Sequence, residues 1–167
     1  MIEGAVSSYE KIKSKTSLRE ILEVACSFEA SARDFYTDLI PKVGKNMRWL
    51  VEELAAEEQQ HFDLLNGLAS REDIAEQIKA EVRIPTTDTR FSDAVQLPDL
   101  GAKPDDQAVL QYAMGREQIA MEHYRSLAEG TEPGPIHDLF GYLADEETKH
   151  KTELEKVYYE VVHSGGV

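Results

Sequence analysis

The 167-residue sequence has a single cysteine and few basic residues, and each shortage excludes a class of protein. One cysteine, Cys26, cannot form a disulfide within the chain or a four-cysteine iron or zinc site, and we interpret it as a small core residue. Lysine and arginine number 18 against 32 acidic residues, a formal net charge of -14. This balance disfavours binding to nucleic acid and anionic membrane surfaces, and it favours attraction of cations.

Long hydrophobic runs are also lacking. No stretch approaches the roughly 18 uncharged apolar residues of a membrane-spanning helix, so we expect no membrane segment. Residues 1–6 have neither a basic start nor an apolar run, so we expect no signal peptide and a cytoplasmic location. The hydrophobic fraction of 41% and the charged fraction of 30% suit one soluble helical domain over 1–167.

What the sequence does contain is helical periodicity. Apolar residues recur every three or four positions in four segments, which predicts helices over about 17–40, 46–69, 105–129 and 136–162. Ser17 and Glu20 have the spacing of a capping box at the first helix. Ser70 is the expected cap of a further short helix over 70–81, and no segment has strand periodicity.

The predicted helices form an all-α four-helix bundle over 17–162, preceded by an arm over 1–16. Residues 82–104 are rich in proline, threonine and aspartate, and we interpret them as a loop rather than a domain linker. A loop of this length between the second and third helices is typical of a bundle with one long crossover connection.

An internal repeat indicates that the bundle is a duplicated helical hairpin. The first and third helices each contain a Glu followed seven residues later by a Tyr, and the second and fourth each contain Glu-x-x-His. The two halves are offset by 88 residues at the Glu–Tyr pairs and 89 at the Glu–His pairs. The repeated residues are Glu29, Tyr36, Glu58 and His61 in the first half, and Glu117, Tyr124, Glu147 and His150 in the second.

One Glu from each of two helices and Glu-x-x-His from each of the other two is the ligand pattern of di-iron and di-manganese bundles. We therefore predict a site of six metal ligands, with two iron ions as cofactor and manganese as an alternative. The predicted ligands are Glu29, Glu58, His61, Glu117, Glu147 and His150. Polar residues of a solvated seam and a zinc site are weaker alternatives. Glu160 and His163 repeat the spacing on another helix face, and we interpret them as an accident of composition.

Further residues would support these ligands. Glu57 and Glu146 precede the motif Glu in each half and could accept the free N–H of a ligand His, or be exposed charges. Tyr36 and Tyr124 could hydrogen-bond a ligand carboxylate or pass an electron, or simply pack in the core. His123 and His137 have no counterpart in the repeat, and we expect them at the surface.

With these motifs, residues from about 17 to 162 resemble the rubrerythrin branch of the ferritin-like di-iron superfamily. The resemblance implies that the six residues are iron ligands, that the site reacts with hydrogen peroxide or dioxygen, and that the chain forms a homodimer or larger oligomer. Rubrerythrins proper carry a rubredoxin domain with a four-cysteine iron, which one cysteine cannot build here, so a peroxidase would need a separate electron donor protein. They also often carry an extra Glu one turn after the third-helix ligand, where this chain has Ala120.

The first functional hypothesis is therefore a di-iron oxidoreductase of peroxidase or ferroxidase type, whose partner is a small oxidant. Alternatives are an iron-handling module with little turnover, an oxygenase acting on an organic substrate, and a metal-free interaction protein.

Overall fold

Four long helices dominate the computed structural model, which describes residues 16–74, 81–82, 100–101 and 103–164. Each helix begins and ends within two residues of its predicted bounds, which confirms the all-α four-helix prediction. The helices are α1 (Leu18–Leu39), α2 (Lys45–Ala69), α3 (Asp106–Glu129) and α4 (Pro135–Ser164). The predicted arm lies outside the described residues, apart from residue 16.

Side chains cap two of the helices, at Ser17 as predicted and also at Asp105. The Ser17 hydroxyl accepts a hydrogen bond from the Glu20 amide at 3.2 Å, and the Asp105 carboxylate accepts one from the Gln107 amide at 3.4 Å. Each bond satisfies an amide that has no partner within its helix. The caps therefore fix where α1 and α3 begin.

Contacts between distant residues define the topology. On α1 and α3, Tyr36 pairs with Glu117 and Tyr124 pairs with Glu29, so these helices are antiparallel. Helix α1 is also antiparallel to α2, because residues 40–44 form a short connection. Helices α2 and α3 therefore run in the same direction, and the connection between them has to bridge the length of the bundle. This confirms the bundle with one long crossover.

A small strand pair differs from the expectation that the chain has no strands. Strand β1 (Thr16–Ser17) pairs antiparallel with β2 (Glu81–Val82), which joins the start of α1 to the segment after α2. Two residues per strand are too few to show a period in the sequence.

The short helix predicted from Ser70 is also wrong in the described part. Ser70 follows the last turn of α2, and its hydroxyl donates to the Asn66 carbonyl at 3.0 Å. Only a 3-10 turn over Glu72–Ile74 follows it. Residues 75–80 of this prediction, and 83–99 and 102 of the predicted crossover loop, lie outside the described residues.

The core consists of two apolar clusters with a polar layer between them. One cluster includes Leu22, Phe28 and Phe140, and the other includes Leu50 and Leu110, all at most 1% exposed. Such clusters supply most of the folding free energy and hold side chains in defined rotamers. Within the described residues, no helix is both long enough and apolar enough to cross a membrane.

Candidate metal centre

The polar layer at the middle of the bundle contains all six residues predicted from the repeat. Each of the four helices contributes at least one of them from the face that it turns towards the core, and none is more than 3% exposed. The six are Glu29, Glu58, His61, Glu117, Glu147 and His150. Four carboxylates in an apolar interior are costly unless they are protonated, paired or bound to metal.

Glu58 and Glu147 each face both imidazoles, with one oxygen toward each ring. The Glu58 oxygens lie 3.2 Å from Nδ1 of His61 and 3.2 Å from Nδ1 of His150. The Glu147 oxygens lie 3.0 Å from Nδ1 of His61 and 3.6 Å from Nδ1 of His150. These two carboxylates are therefore placed between the rings.

Glu29 and Glu117 each face one imidazole only. A Glu29 oxygen lies 3.7 Å from Nδ1 of His61, and a Glu117 oxygen lies 3.6 Å from Nδ1 of His150. The result is two groups of four side chains that could hold a metal ion and that share their central carboxylates. One group is Glu29, Glu58, His61 and Glu147, and the other is Glu58, Glu117, Glu147 and His150.

The outer nitrogens of the two imidazoles face the two flanking carboxylates predicted from the sequence. Nε2 of His150 lies 2.5 Å from Oε2 of Glu57, a hydrogen-bond distance across α2 and α4. Nε2 of His61 lies 4.0 Å from Oε2 of Glu146, which is too long for a hydrogen bond. The rings stack at 5.4 Å between centroids, and both Nδ1 atoms are directed at the central carboxylates. Such an arrangement presents Nδ1 as a ligand atom.

Two buried tyrosines hold the carboxylates that face one ring each. The Tyr36 hydroxyl donates to Oε1 of Glu117 at 2.6 Å, and the Tyr124 hydroxyl donates to Oε1 of Glu29. Burial, followed by the charges of Glu117 and Glu29 respectively, raises the pKa of each phenol well above its ordinary value. Both tyrosines therefore stay protonated and act as donors.

The pKa values of three of these carboxylates are shifted in different directions. Burial first, and then the charge of Glu58, raises the pKa of Glu29 well above its ordinary value. Burial and the charge of Glu117 do the same to the pKa of Glu147. For Glu58, burial also acts to raise the pKa, but contacts with His150 and His61 outweigh burial and lower it.

The pKa values of both imidazoles are raised. Burial acts to lower the pKa of His61, but the facing carboxylates of Glu147, Glu29 and Glu58 outweigh burial and raise it. The pKa of His150 is raised in the same way, with Glu117 the strongest contributor. Without metal, protons on these groups balance the clustered negative charge.

The donor set passes a direct test of fit to metal. Within the described part of the chain, four buried oxygens of Glu29, Glu58 and Glu147 lie 3.0 to 3.7 Å from an imidazole Nδ1, but none of them makes a hydrogen bond of acceptable geometry. Buried polar atoms are rarely left in this way unless a ligand satisfies them. The cluster of carboxylates and imidazoles therefore fits a metal site.

Several other predicted residues can now be placed. His123 is 6% exposed, so its predicted surface position is wrong. Helix α3 is covered by its neighbours on more than the face that carries its periodic apolar residues. His137 is half-buried, with Nδ1 2.7 Å from the Ala128 carbonyl. Cys26 is only partly buried, against the core cluster near the start of α1. His163 is exposed, and its ring lies 4.0 Å from the Tyr159 ring between centroids, tilted by 47°.

The sequence analysis missed a buried arginine beside the site. Arg116 is 4% exposed, and its guanidinium carbon lies 5.2 Å from the Phe28 ring centroid and 5.5 Å from that of Phe35. Its Nη2 lies 3.4 Å from the Ser31 hydroxyl. Arg116 directly precedes Glu117, and no pattern in the sequence distinguishes it from an arginine at the surface.

Comparisons with solved structures define the class of protein first. A Thermotoga maritima structure described as a ferritin-like diiron-carboxylate protein matches with a TM-score of 0.71 and 18% identity, over 88% of this chain and 97% of that one. A dodecameric thioferritin, the bacterioferritin-related protein of Bacteroides fragilis, matches with a TM-score of 0.67 and 21% identity, over 96% and 97%. The fold is thus that of a ferritin-like bundle.

The family follows from the sequence comparison. The family model described as Rubrerythrin matches residues 20–158, and the chain belongs to the rubrerythrin family. Among curated protein sequences, none matches this chain significantly.

Proposed function

We propose that this chain binds two iron ions and reacts the ferrous pair with hydrogen peroxide or dioxygen. The observation that carries the proposal is the pair of four-residue groups sharing Glu58 and Glu147. In this assignment the two shared carboxylates would contribute to both ions. Glu29 and His61 would hold one ion, and the corresponding pair on α3 and α4, Glu117 and His150, would hold the other.

Charge and ligand type both support iron. Four carboxylates balance two divalent ions, so a filled site is close to neutral and tolerable in the core. Carboxylates and imidazoles suit iron in both common oxidation states, and they also suit manganese. The neutral imidazoles add ligands without adding charge, which keeps this balance.

A bound ferrous pair would supply two electrons, which with two protons convert one peroxide into two waters. The residues of the chain position this chemistry. Tyr36 and Tyr124 hold the outer carboxylates by hydrogen bonds, and Glu57 holds the His150 ring. Ala120 is fully buried where many rubrerythrins have an additional Glu, so the proposed site would have six protein ligands. Repeated turnover would need electrons from a separate protein.

Iron handling with little turnover is the second candidate. It is supported by the structural similarity to a dodecameric thioferritin, which also supports a homodimer or larger oligomer for this chain. The net charge of -14 would attract iron in either case. The two functions differ in whether added reductant sustains turnover.

Stopped-flow spectroscopy tests the proposal. The protein is loaded anaerobically with ferrous iron and mixed separately with peroxide and with dioxygen, while the near-ultraviolet absorbance of ferric iron is followed. A faster reaction with peroxide supports a peroxidase, and a faster one with dioxygen supports a ferroxidase. Turnover that ends after one equivalent of oxidant, even when reductant is present, supports iron handling. Failure to retain iron, with no absorbance change, contradicts the di-iron assignment.

A further inference from the structure

The enclosed site needs a point at which an ion can enter, and two carboxylates lie in a suitable place. The side chains of Glu57 on α2 and Glu146 on α4 are 30% and 16% exposed. Both also face the outer nitrogen of a buried imidazole, so each connects solvent to the site. We call the surface between them, on the outer side of α2 and α4, the α2–α4 seam.

The repeat would make these two carboxylates equivalent, but their contacts differ. Glu57 is engaged with His150 at 2.5 Å. Glu146 is 4.0 Å from His61, and its other oxygen lies 3.3 Å from the exposed ammonium of Lys149. The Glu146 side of the seam is therefore the one where a carboxylate and an imidazole face each other without a direct hydrogen bond.

We propose that Glu146 and His61 form an acceptance site that takes a divalent cation from solvent before it reaches the central carboxylates. This inference rests on the proposed function. Glu146, His61 and His150 form a third group whose possible ligand atoms lie within 4.8 Å of one another. Ligand atoms about 2.1 Å from one ion can lie up to about 4.2 Å apart, so one ion can contact both Oε2 of Glu146 and Nε2 of His61.

The buried imidazole is the second observation that points to a ligand. The His61 side chain is 3% exposed, and Nε2 has no hydrogen-bond partner among the described residues, while Nδ1 faces the central carboxylates. The two nitrogens of this ring therefore mark an outer and an inner position for the same ion. Tyr142 flanks the ring edge-on at 6.4 Å between centroids.

The charge along the seam favours arrival of a cation. Glu53 and Glu57 on α2 and Glu153 on α4 lie near enough along the seam for their charges to act on one another. Lys149 is the nearby opposing charge, and its side chain is 66% exposed. We infer that an arriving cation displaces the Lys149 ammonium from Glu146.

Cobalt uptake by the metal-free protein tests the acceptance site through binding alone. Co²⁺ is mixed with the apoprotein, and its visible absorbance and final stoichiometry are recorded. Glu146→Gln keeps the size of the side chain and an oxygen that can accept from His61, but it removes the charge. Uptake by Glu146→Gln should be about tenfold slower, with the same final stoichiometry as wild type. Glu160→Gln removes the same charge from an exposed position of α4 and should take up Co²⁺ at the wild-type rate.

Lys149→Ala provides a second test that leaves Glu146 in place. Removing the competing ammonium should make uptake faster than in wild type. A Glu146→Gln rate equal to wild type would overturn the acceptance site, even with a weaker final affinity, since Glu146 would then only orient the ring. That result leaves the proposed function intact if two ions are retained. Wild-type protein that retains no metal would overturn both.

Discussion

Tyr36 on α1 donates a hydrogen bond to Glu117 on α3 at 2.6 Å, across 81 positions of sequence. The equivalent tyrosine, Tyr124, donates in the reverse direction to Glu29. Each half of the repeat therefore holds the carboxylate of the other half. Neither helical hairpin can complete the site alone, which makes the polar layer a property of the whole bundle.

The Tyr36→Phe variant should weaken both stability and metal binding. It removes the donor to Glu117 and leaves a buried carboxylate oxygen without its partner, a loss of about 1 to 3 kcal/mol in the free energy of unfolding. Denaturant unfolding of the apoprotein measures this loss, and metal titration measures the affinity of the ion assigned to Glu117. Tyr124→Phe should have a similar effect through Glu29.

Tyr159→Phe is the matched control, because Tyr159 is 65% exposed and loses only a solvated hydroxyl. It should unfold at the wild-type denaturant concentration. Equal stability of Tyr36→Phe and wild type would show that the hydrogen bond contributes nothing beyond the packing of the ring.

Metal stoichiometry should separate the shared carboxylates from the outer ones. Glu58 and Glu147 each face both imidazoles, so changing either one to Ala should remove both ions. Glu29→Ala and Glu117→Ala should each retain one ion, because the other group of four keeps all its members. Elemental analysis of protein loaded with iron, after removal of free metal, measures the difference.

Glu160→Ala tests the choice of helix face in the same experiment. Glu160 has the same spacing to a His as the two motif residues, but it is exposed on α4 and should leave the stoichiometry unchanged. Loss of iron from Glu160→Ala with retention in Glu147→Ala would contradict the assignment.

The helices and the clustering of the six polar residues were predictable because both depend on short-range spacing. Glu58 and His61 lie one turn apart on an apolar stripe, and a strong 3.6-residue period specifies which face is buried. The repeat then predicted the counterparts Glu147 and His150. The structure brings all of these together, while their role as iron ligands stays a prediction.

Features that depend on the relative positions of helices were not predictable. The repeat makes Glu57 and Glu146 equivalent in sequence. In the structure, however, Glu57 lies 2.5 Å from Nε2 of His150, whereas Glu146 lies 4.0 Å from Nε2 of His61, and this difference depends on how α2 packs on α4. Burial of His123 and Arg116 likewise depends on coverage of α3 by its neighbours. The spacing of apolar residues along α3 does not indicate this coverage.

Metal should stabilise the fold, because it replaces repulsion among buried carboxylates with coordination. At a free metal concentration of about 100 times the dissociation constant, the linked stabilisation is about 2.7 kcal/mol. For a domain of this size, that corresponds to a rise of about 5 to 10 °C in Tm. Thermal unfolding with and without Mn²⁺ measures the shift, and a chelator should reverse it. Glu58→Ala should show no gain, whereas an equal gain in that variant would place the stabilising metal elsewhere.

The reactivity of Cys26 should require unusually high pH. Burial first, and then the charges of Glu29 and Glu23, raises the pKa of this thiol above its ordinary value. The thiolate is the reactive form, so alkylation of the folded apoprotein should rise with pH at values above the midpoint of about 8.5 for a free cysteine. Folding raises the pKa of this thiol. The thiol therefore contributes fully to stability at pH values below its pKa in the unfolded chain, and this contribution is lost as the pH rises through its pKa in the folded protein.

A pH–rate profile with iodoacetamide measures this midpoint, and Cys26→Ser provides the background, because the chain has no other cysteine. Unfolding the protein in denaturant should return the midpoint to the free-cysteine value. Saturating metal should move the folded midpoint downward, because a cation bound at Glu29 would favour the thiolate, whereas the charge of Glu29 alone raises the pKa of the thiol. A folded midpoint at or below that of the unfolded chain would contradict the burial argument. A midpoint insensitive to metal would instead contradict the assignment of an ion next to Glu29.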